Sequence, residues 1–255
     1  MIHNQESLIC LQEALHEQLM DIINGLNERS EKGASWTYVG CGRQGGTDGE
    51  YSAILYRSAV WEIQYSEMRW LSDTPSTPSH SWGTMYKRIV TCAIFRHRET
   101  NRCILSMNTY LDDKSLESRS KGAGLIRNWA KEWLSDSTIG GVILTGDFNT
   151  DSQSNDDAYG VLTGSEPFRF SDTRTYVNKD RRYGNVNSWT GFNDKPEDDM
   201  LYDYVLIGPV KEEMTPWNVQ TYGILFNKFE SSDTKGYVFS SDHRPVAVDL
   251  ELRIG

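Results

Sequence analysis

The segment GVILTGDFNTD, residues 141–151, decides both the fold class and the place of the chemistry. Its first four residues form an apolar run of the length expected for a buried strand, and a polar turn follows directly. Asp147 and Asn149 stand in that turn. Both residue types are common in turns for purely structural reasons. The segment therefore indicates a functional site only if other strands end in the same way.

The rest of the chain predicts a sheet-rich α/β or α+β domain with helices covering the sheets. Apolar spacing predicts one helix from Leu11 to Leu26 and a second over 116–134. A long polar region runs from 152 to 195. The predicted strands are 8–11, 51–57, a hairpin of 89–95 and 103–107, then 141–144, 201–207 and 245–250, with loops at 40–49 and 72–81.

The composition bounds the function. The chain has 255 residues, 38% of them hydrophobic, which is enough for one large domain with a sizeable core over 1–255. Its 26 Lys and Arg against 36 Asp and Glu give a net charge of −10, which argues against general binding of long duplex nucleic acid. No apolar run approaches the roughly 18–20 residues of a membrane span. No signal peptide is visible and the four cysteines form no CxxC pair, so we expect a cytoplasmic protein.

Acidic and amide residues gather at the strand ends, where a rigid scaffold commonly positions catalytic groups. Each cluster alone has a structural explanation, such as a helix cap or a turn. The clusters are Gln12-Glu13 after the first strand, Asn108–Asp113 after the hairpin, Gly146–Asn149, and Ser241–His243 before the last strand, with Asp203 inside an otherwise apolar strand.

Three carboxylates from these separated strand ends, Glu13, Asp147 and Asp242, can converge on one hard cation. Carboxylate oxygens suit Mg²⁺ or Mn²⁺, and soft cysteine ligands are absent from the clusters. The sequence therefore favours a divalent metal site of this type.

The remaining polar residues of the clusters complete a hydrolytic set. Asp203 can hold His243 in one tautomer and raise its basicity, as the third residue of hydrolytic triads does. Asn149 can hydrogen-bond a developing oxyanion. The set predicts metal-assisted hydrolysis of a phosphoester.

Six motifs in this order resemble the endonuclease/exonuclease/phosphatase superfamily, which has the DNase I-like fold. The resemblance runs from about residue 7 to 251 and implies a four-layer sandwich of two face-to-face mixed β-sheets flanked by helices. The motifs are LQEAL (11–15), GEYSAILYR (49–57), NTYLDD (108–113), TGDFNTD (145–151), LYDYVLI (201–207) and SDHRPV (241–246).

The resemblance also implies roles for individual residues. Mg²⁺ or Mn²⁺ is the expected cofactor, Asp147 the residue that activates water, and Asp203 the partner of His243. The expected metal group is Glu13, Asp242 and Glu50; the expected catalytic group is Asp147, Asn149, His243, Asp203 and Tyr110; the expected substrate-binding group is Arg88, Asn108 and Trp189.

The chain departs from the family pattern in two places. Tyr110 replaces a histidine of the NTH motif, and because a phenol is a hydrogen-bond donor near pH 7, we expect it to bind or protonate a phosphate oxygen. The first strand of the family, which ends in an asparagine, is missing ahead of the QE motif, and Asn4 cannot simply replace that asparagine. This gap reflects either a shortened chain or a changed active site, which would lose a metal ligand.

The substrate is expected to be a small or lipid-like phosphate ester. The most cationic stretches, 96–102 and 178–185, are short, and the second can be a solvated loop or reach a phosphate. Trp189 lies beside a loop, where it either lines an apolar pocket or packs in the core. The alternative function is a repurposed fold that binds a ligand or partner, or catalyses a metal-independent reaction.

Overall fold

The computed structural model describes residues 7–30, 35–193, 195, 200–231 and 236–253. The helices are α1 (His16–Arg29), α2 (Leu116–Trp133), α3 (Ala158–Thr163) and α4 (Thr173–Tyr176). The strands are β1 (Leu8–Cys10), β2 (Trp36–Val39), β3 (Ile54–Arg57), β4 (Trp61–Trp70), β5 (Ile89–His97), β6 (Cys103–Tyr110), β7 (Ile139–Asp147), β8 (Ser171–Asp172), β9 (Arg182–Gly184), β10 (Asp203–Gly208), β11 (Trp217–Ile224), β12 (Lys228–Ser231), β13 (Gly236–Phe239) and β14 (Val246–Leu252).

A six-stranded sheet of order β4-β5-β6-β7-β10-β8 forms the centre of the fold. It is mixed, because β6 and β7 run parallel while the other pairs are antiparallel. Two three-stranded sheets, β1-β3-β2 and β14-β11-β9, pack against it, and β12 and β13 form a separate hairpin. The predicted α/β class with mixed sheets is confirmed. The strands beside the six-stranded sheet form two separate sheets of three strands each.

The helix α2 confirms the prediction over 116–134 almost to the residue. Ser115 caps it, because its side chain accepts a hydrogen bond from the backbone N–H of Ser118. Ala123, Ile126 and Ala130 follow at helical spacing and are fully buried in the core of the six-stranded sheet.

The first helix begins at His16 rather than at the predicted Leu11. Residues 11–14 continue instead along β3, since the Leu11 N–H donates to the carbonyl of Ala53 and the Tyr51 N–H to that of Ala14. Glu13 has a φ of 62°, which no helix accepts. The turn therefore separates the strand from the helix and places Glu13 on the surface.

Other predictions need smaller corrections. The hairpin of β5 and β6 is confirmed, whereas the strand predicted over 51–57 begins only at Ile54. The polar region 152–195 carries short elements, from α3 to β9, that have too few residues to show a period. Asn4 lies outside the described residues, and the single domain over 1–255 without a first strand stays a prediction. Within the described chain, no helix has both the length and the apolar character needed to cross a membrane.

Asn108 joins the six-stranded sheet to the β1-β3-β2 sheet. Its side-chain amide donates to the carbonyls of Leu11 (2.8 Å) and Ala53 (2.9 Å). Its oxygen accepts from Gln12 (2.7 Å) and Thr145 (3.0 Å). The side chain is fully buried and uses both donors and both acceptor positions within the protein. We expected Asn108 to bind substrate; the structure assigns it instead to holding the sheets together.

Asn108→Ala is expected to lower the free energy of unfolding by about 2–4 kcal/mol, because it leaves two carbonyls without their donors in the interior. Urea denaturation checks this. Asn155→Ala, at an exposed position, is the control and should change stability by less than about 0.5 kcal/mol. Equal stability of the two variants would show that the link between the sheets contributes nothing.

Candidate active site

Strand pairing places two carboxylates opposite each other at the ends of two interior strands of the six-stranded sheet. Asp147 is the last residue of β7, Asp203 is the first of β10, and the antiparallel register pairs them directly. The Nδ1 of His243 lies 2.7 Å from an oxygen of Asp203, and its Nε2 lies 3.7 Å from an oxygen of Asp147. The structure thus brings together three of the predicted catalytic residues, whose ligand atoms all lie within 4.8 Å of one another.

The local sequence GDF fixes the position of Asp147. A Cβ on Gly146 would lie 2.4 Å from the carbonyl oxygen of Thr109, so only glycine lets β7 approach β6 this closely. Phe148 is fully buried and stacks on Tyr204, with ring centroids 5.1 Å apart. The aspartate is therefore held between a tight strand contact and a buried ring.

The residues 188–190 hold the histidine loop, and the sequence indicated only Trp189 among them. Trp189 pairs with His243 as an isolated β-bridge, and Thr190 donates its N–H (2.7 Å) and its hydroxyl (2.8 Å) to the carbonyl of Asp242. Ser188 is fully buried, and its hydroxyl oxygen accepts the backbone N–H of Asp203 at 3.1 Å. Ser188 and Thr190 stand in a polar stretch without periodicity, so no sequence pattern distinguished them.

The charges of this cluster depend on one another. Burial raises the pKa of Asp147 far above its ordinary value, and the charge of Asp203 raises it further, while His243 lowers it. Burial alone would lower the pKa of His243, but its hydrogen bond to Asp203 and the charges of Asp203, Asp147 and Asp242 outweigh that effect and raise it to about 9. The imidazole is therefore protonated at neutral pH.

Asn149 lies beside the cluster of Asp147, Asp203 and His243, in a turn with left-handed backbone conformation. Its φ is 49°, its N–H donates to Asp147 (2.8 Å), and its side-chain amide donates to the carbonyl of Leu111 (3.1 Å). The predicted contact of Asn149 with a phosphate oxygen stays a prediction.

A second group of polar residues lies next to this cluster, around Tyr110. The parallel register of β6 and β7 pairs Tyr110 with Asp147. Burial, together with a hydrogen bond to Glu13, raises the pKa of Tyr110, so the side chain stays a phenol. Glu50 forms an ion pair with Arg43 at 2.7 Å. This pairing makes Glu50 a weaker candidate for the metal than Glu13.

Arg88 lies against the ring of Tyr110. It is 3% exposed, it stacks at 4.1 Å from the centroid of the Tyr110 ring, and it bonds to Asp113 at 2.9 Å. Asp112 lies 3.5 Å away on another side. The expected contact of Arg88 with the substrate phosphate stays a prediction; in the structure its side chain is buried against Tyr110.

The donor set fits a hard divalent cation. Asp147 and Asp203 are neighbouring carboxylates whose mutual repulsion raises the pKa of Asp147, and a cation would relieve it. Glu13 is close enough for its charge to act on the same carboxyl group. Asp242 is half-buried beside His243, but among the described residues its carboxylate is not part of the 4.8 Å group. The donors that the site offers to a cation are carboxylate oxygens, which Mg²⁺ and Mn²⁺ accept.

The comparisons with known proteins agree with this site. The sequence profile of the Endonuclease/Exonuclease/phosphatase family matches residues 3–243. An uncharacterized protein of Acanthamoeba polyphaga mimivirus, L388, is 30% identical over 200 residues, covering 74% of this chain and 66% of that protein. The chain thus spans just under two thirds of the length of this relative.

Solved structures show the same fold. An endonuclease/exonuclease/phosphatase from Bacteroides vulgatus has a TM-score of 0.81 and 29% identity, covering 97% of this chain and 85% of that one. A mannosyl-6-phosphatase from Bacteroides thetaiotaomicron has a TM-score of 0.80 and 27% identity, covering 96% and 85%. The fold is DNase I-like, and the chain belongs to the endonuclease/exonuclease/phosphatase family, whose members hydrolyse phosphoester bonds.

Asp203→Asn should lower the pKa of His243 from about 9 toward its ordinary value near 6.5, because the negative hydrogen-bond acceptor is lost. Since the folded-state pKa is the higher one, the stability that the wild-type pair provides is fully present below about pH 6.5 and is lost as the pH rises through about 9. An NMR titration of the ring protons in EDTA measures the pKa, with His243→Gln assigning the resonance. A wild-type pKa at or below 6.5 would contradict the described pairing.

Proposed function

We propose that the protein is a divalent-metal-dependent phosphoesterase that hydrolyses a small or lipid-like phosphate ester by attack of water on phosphorus. The observation that supports this most is the cluster at the ends of β7 and β10, where His243 is hydrogen-bonded to Asp203 at 2.7 Å and lies 3.7 Å from Asp147. The imidazolium of His243 can serve as an acid, and Asp147 as a base once a nearby cation favours its carboxylate form.

Each residue has a distinct task in this proposal. Asp147 orients the attacking water and accepts its proton, which requires the carboxylate form that a bound cation would favour by lowering the raised pKa. The protonated Nε2 of His243 donates to a phosphate oxygen and stabilises the charge that develops in the transition state. Asp203 keeps the ring oriented, because it occupies the Nδ1 side at 2.7 Å.

Glu13 and Asp242 would hold the Mg²⁺ or Mn²⁺, with Glu50 as a weaker contributor because of its ion pair with Arg43. Such an ion neutralises phosphate charge and polarises the phosphorus–oxygen bonds. Asn149, whose N–H bonds to Asp147, and Tyr110, which pairs in register with Asp147, would contact the phosphate.

Two observations support a small substrate over a long nucleic acid. The net charge of −10 provides no general surface for a polyanion. One similar structure, at 27% identity, is that of a mannosyl-6-phosphatase, whose name indicates a small phosphate ester. The cytoplasmic location stays a prediction from the sequence.

Asp147→Asn and His243→Gln are each expected to lower kcat by roughly 10²–10³-fold, the loss typical of a preorganised group that acts in the transition state. Hydrolysis of bis-p-nitrophenyl phosphate and p-nitrophenyl phosphate with Mg²⁺ measures this. Asp156→Asn, an exposed acid in the loop after β7, is the control and should keep full activity. Unchanged turnover in both site variants would defeat the assignment.

Removal of metal is expected to abolish turnover, and Glu13→Gln is expected to weaken Mn²⁺ binding by about tenfold or more because a carboxylate ligand is lost. EDTA treatment followed by titration with Mn²⁺, read by electron paramagnetic resonance, checks both points. A folded protein that binds no Mn²⁺ at millimolar concentration would favour the alternative of a repurposed fold.

A further inference from the structure

The β12–β13 hairpin is attached directly to the segment that carries His243. Asn227, just before β12, is 3% exposed, and its side-chain amide donates to the carbonyl of Ser241 (2.7 Å) and to the hydroxyl of Thr190 (3.3 Å). After β13, the Ser240 N–H donates back to the carbonyl of Asn227. The base of the hairpin is therefore fixed to Thr190 and Ser241, next to the segment that carries His243.

One face of this hairpin carries aromatic and charged side chains together. The register pairs Lys228 with Phe239 and Glu230 with Tyr237, and strand alternation puts these four on the same face. The Lys228 ammonium lies 4.9 Å from the Tyr237 ring centroid and 5.2 Å from that of Phe239. Phe229 points to the opposite face, since it stands between Lys228 and Glu230.

Phe192 contacts the hairpin face that carries Lys228 and Phe239. Its ring meets the Phe239 ring edge-on, with centroids 6.4 Å apart, and it stands two residues after Thr190, which bonds to Asp242. Phe192 is 60% exposed and Tyr237 is 67% exposed. The φ of Phe192 is 59°, a strained conformation for a phenylalanine and one that tends to occur at ligand-binding positions.

We propose that Phe192, Phe239, Tyr237, Lys228 and Glu230 form a subsite for the leaving group of the substrate, and that this leaving group is a sugar ring. The inference rests on the proposed phosphoesterase function and specifies its substrate class. The C–H face of a sugar ring packs on exposed aromatic rings, and its hydroxyls accept from an ammonium and donate to a carboxylate. The charged groups of Lys228 and Glu230 on this face favour a ligand with hydroxyls over a purely apolar chain.

Phe192→Ala separates a sugar subsite from a lipid-binding surface. Phe229→Ala, on the opposite face of the hairpin, is the matched control. For a hexose 6-phosphate, kcat/KM should fall about five- to tenfold in Phe192→Ala, as expected for loss of one aromatic contact. Glycerol 3-phosphate, which has no ring, should show no change. Phe192→Tyr should restore the wild-type value, and Phe229→Ala should match the wild type on both esters.

Equal losses on the two esters, or no loss, would overturn the subsite. Weaker binding of phosphatidylcholine vesicles by both Phe192→Ala and Phe229→Ala, with ester turnover unchanged, would overturn it in favour of a lipid surface. Calorimetric binding of hexose 6-phosphate keeps the subsite testable apart from catalysis. If the wild type turns over neither ester, the proposed function fails. The subsite is still supported if Phe192→Ala selectively loses binding of hexose 6-phosphate. Unchanged binding of hexose 6-phosphate in Phe192→Ala would contradict the subsite.

Discussion

The antiparallel pairing of β7 with β10 is the constraint on which the site depends. It sets Asp147 and Asp203 side by side at the ends of two neighbouring strands. Burial and mutual repulsion both disfavour two negative charges there. The imidazolium of His243 offsets this, because it bonds to Asp203 at 2.7 Å and faces Asp147 at 3.7 Å. A lone buried charge is costly, whereas a paired and hydrogen-bonded one is tolerated.

The chain fixes this histidine from several directions. Ser188 and Thr190 bond to the backbones of Asp203 and Asp242, and the Trp189 backbone pairs with His243. A catalytic group positioned by such contacts needs no reorganisation during the reaction, which is what makes preorganised electrostatics effective. The same contacts attach the aromatic hairpin to the active site.

Tyr110 shows how the site accommodates a departure from the family pattern. The phenol cannot act as a histidine would, but the buried Arg88 stacks on its ring and Asp113 holds Arg88 in turn. The hydroxyl is left next to Glu13 and close to Asp147. The replacement of one residue thus comes with a set of neighbours that fits a phenol.

The sequence predicted the fold class, the long helix α2, the β5–β6 hairpin and the proximity of Asp147, Asp203 and His243, because each depends on local periodicity or on a short motif. It failed where tertiary contacts decide. The first helix begins at His16 rather than Leu11, because residues 11–14 pair with the segment before β3. Asn108 has a ligand's chemistry but a structural position. Ser188 could not be found at all, since its importance comes only from its distance to Asp203.

The most direct measurement of the central claim is an anomalous difference map from crystals soaked in Mn²⁺ and phosphate. The account predicts a Mn²⁺ peak at the carboxylates of Glu13 and Asp242, with a phosphate ion within hydrogen-bonding distance of Nε2 of His243. Mn²⁺ bound only elsewhere on the surface, with no phosphate at His243, would contradict it.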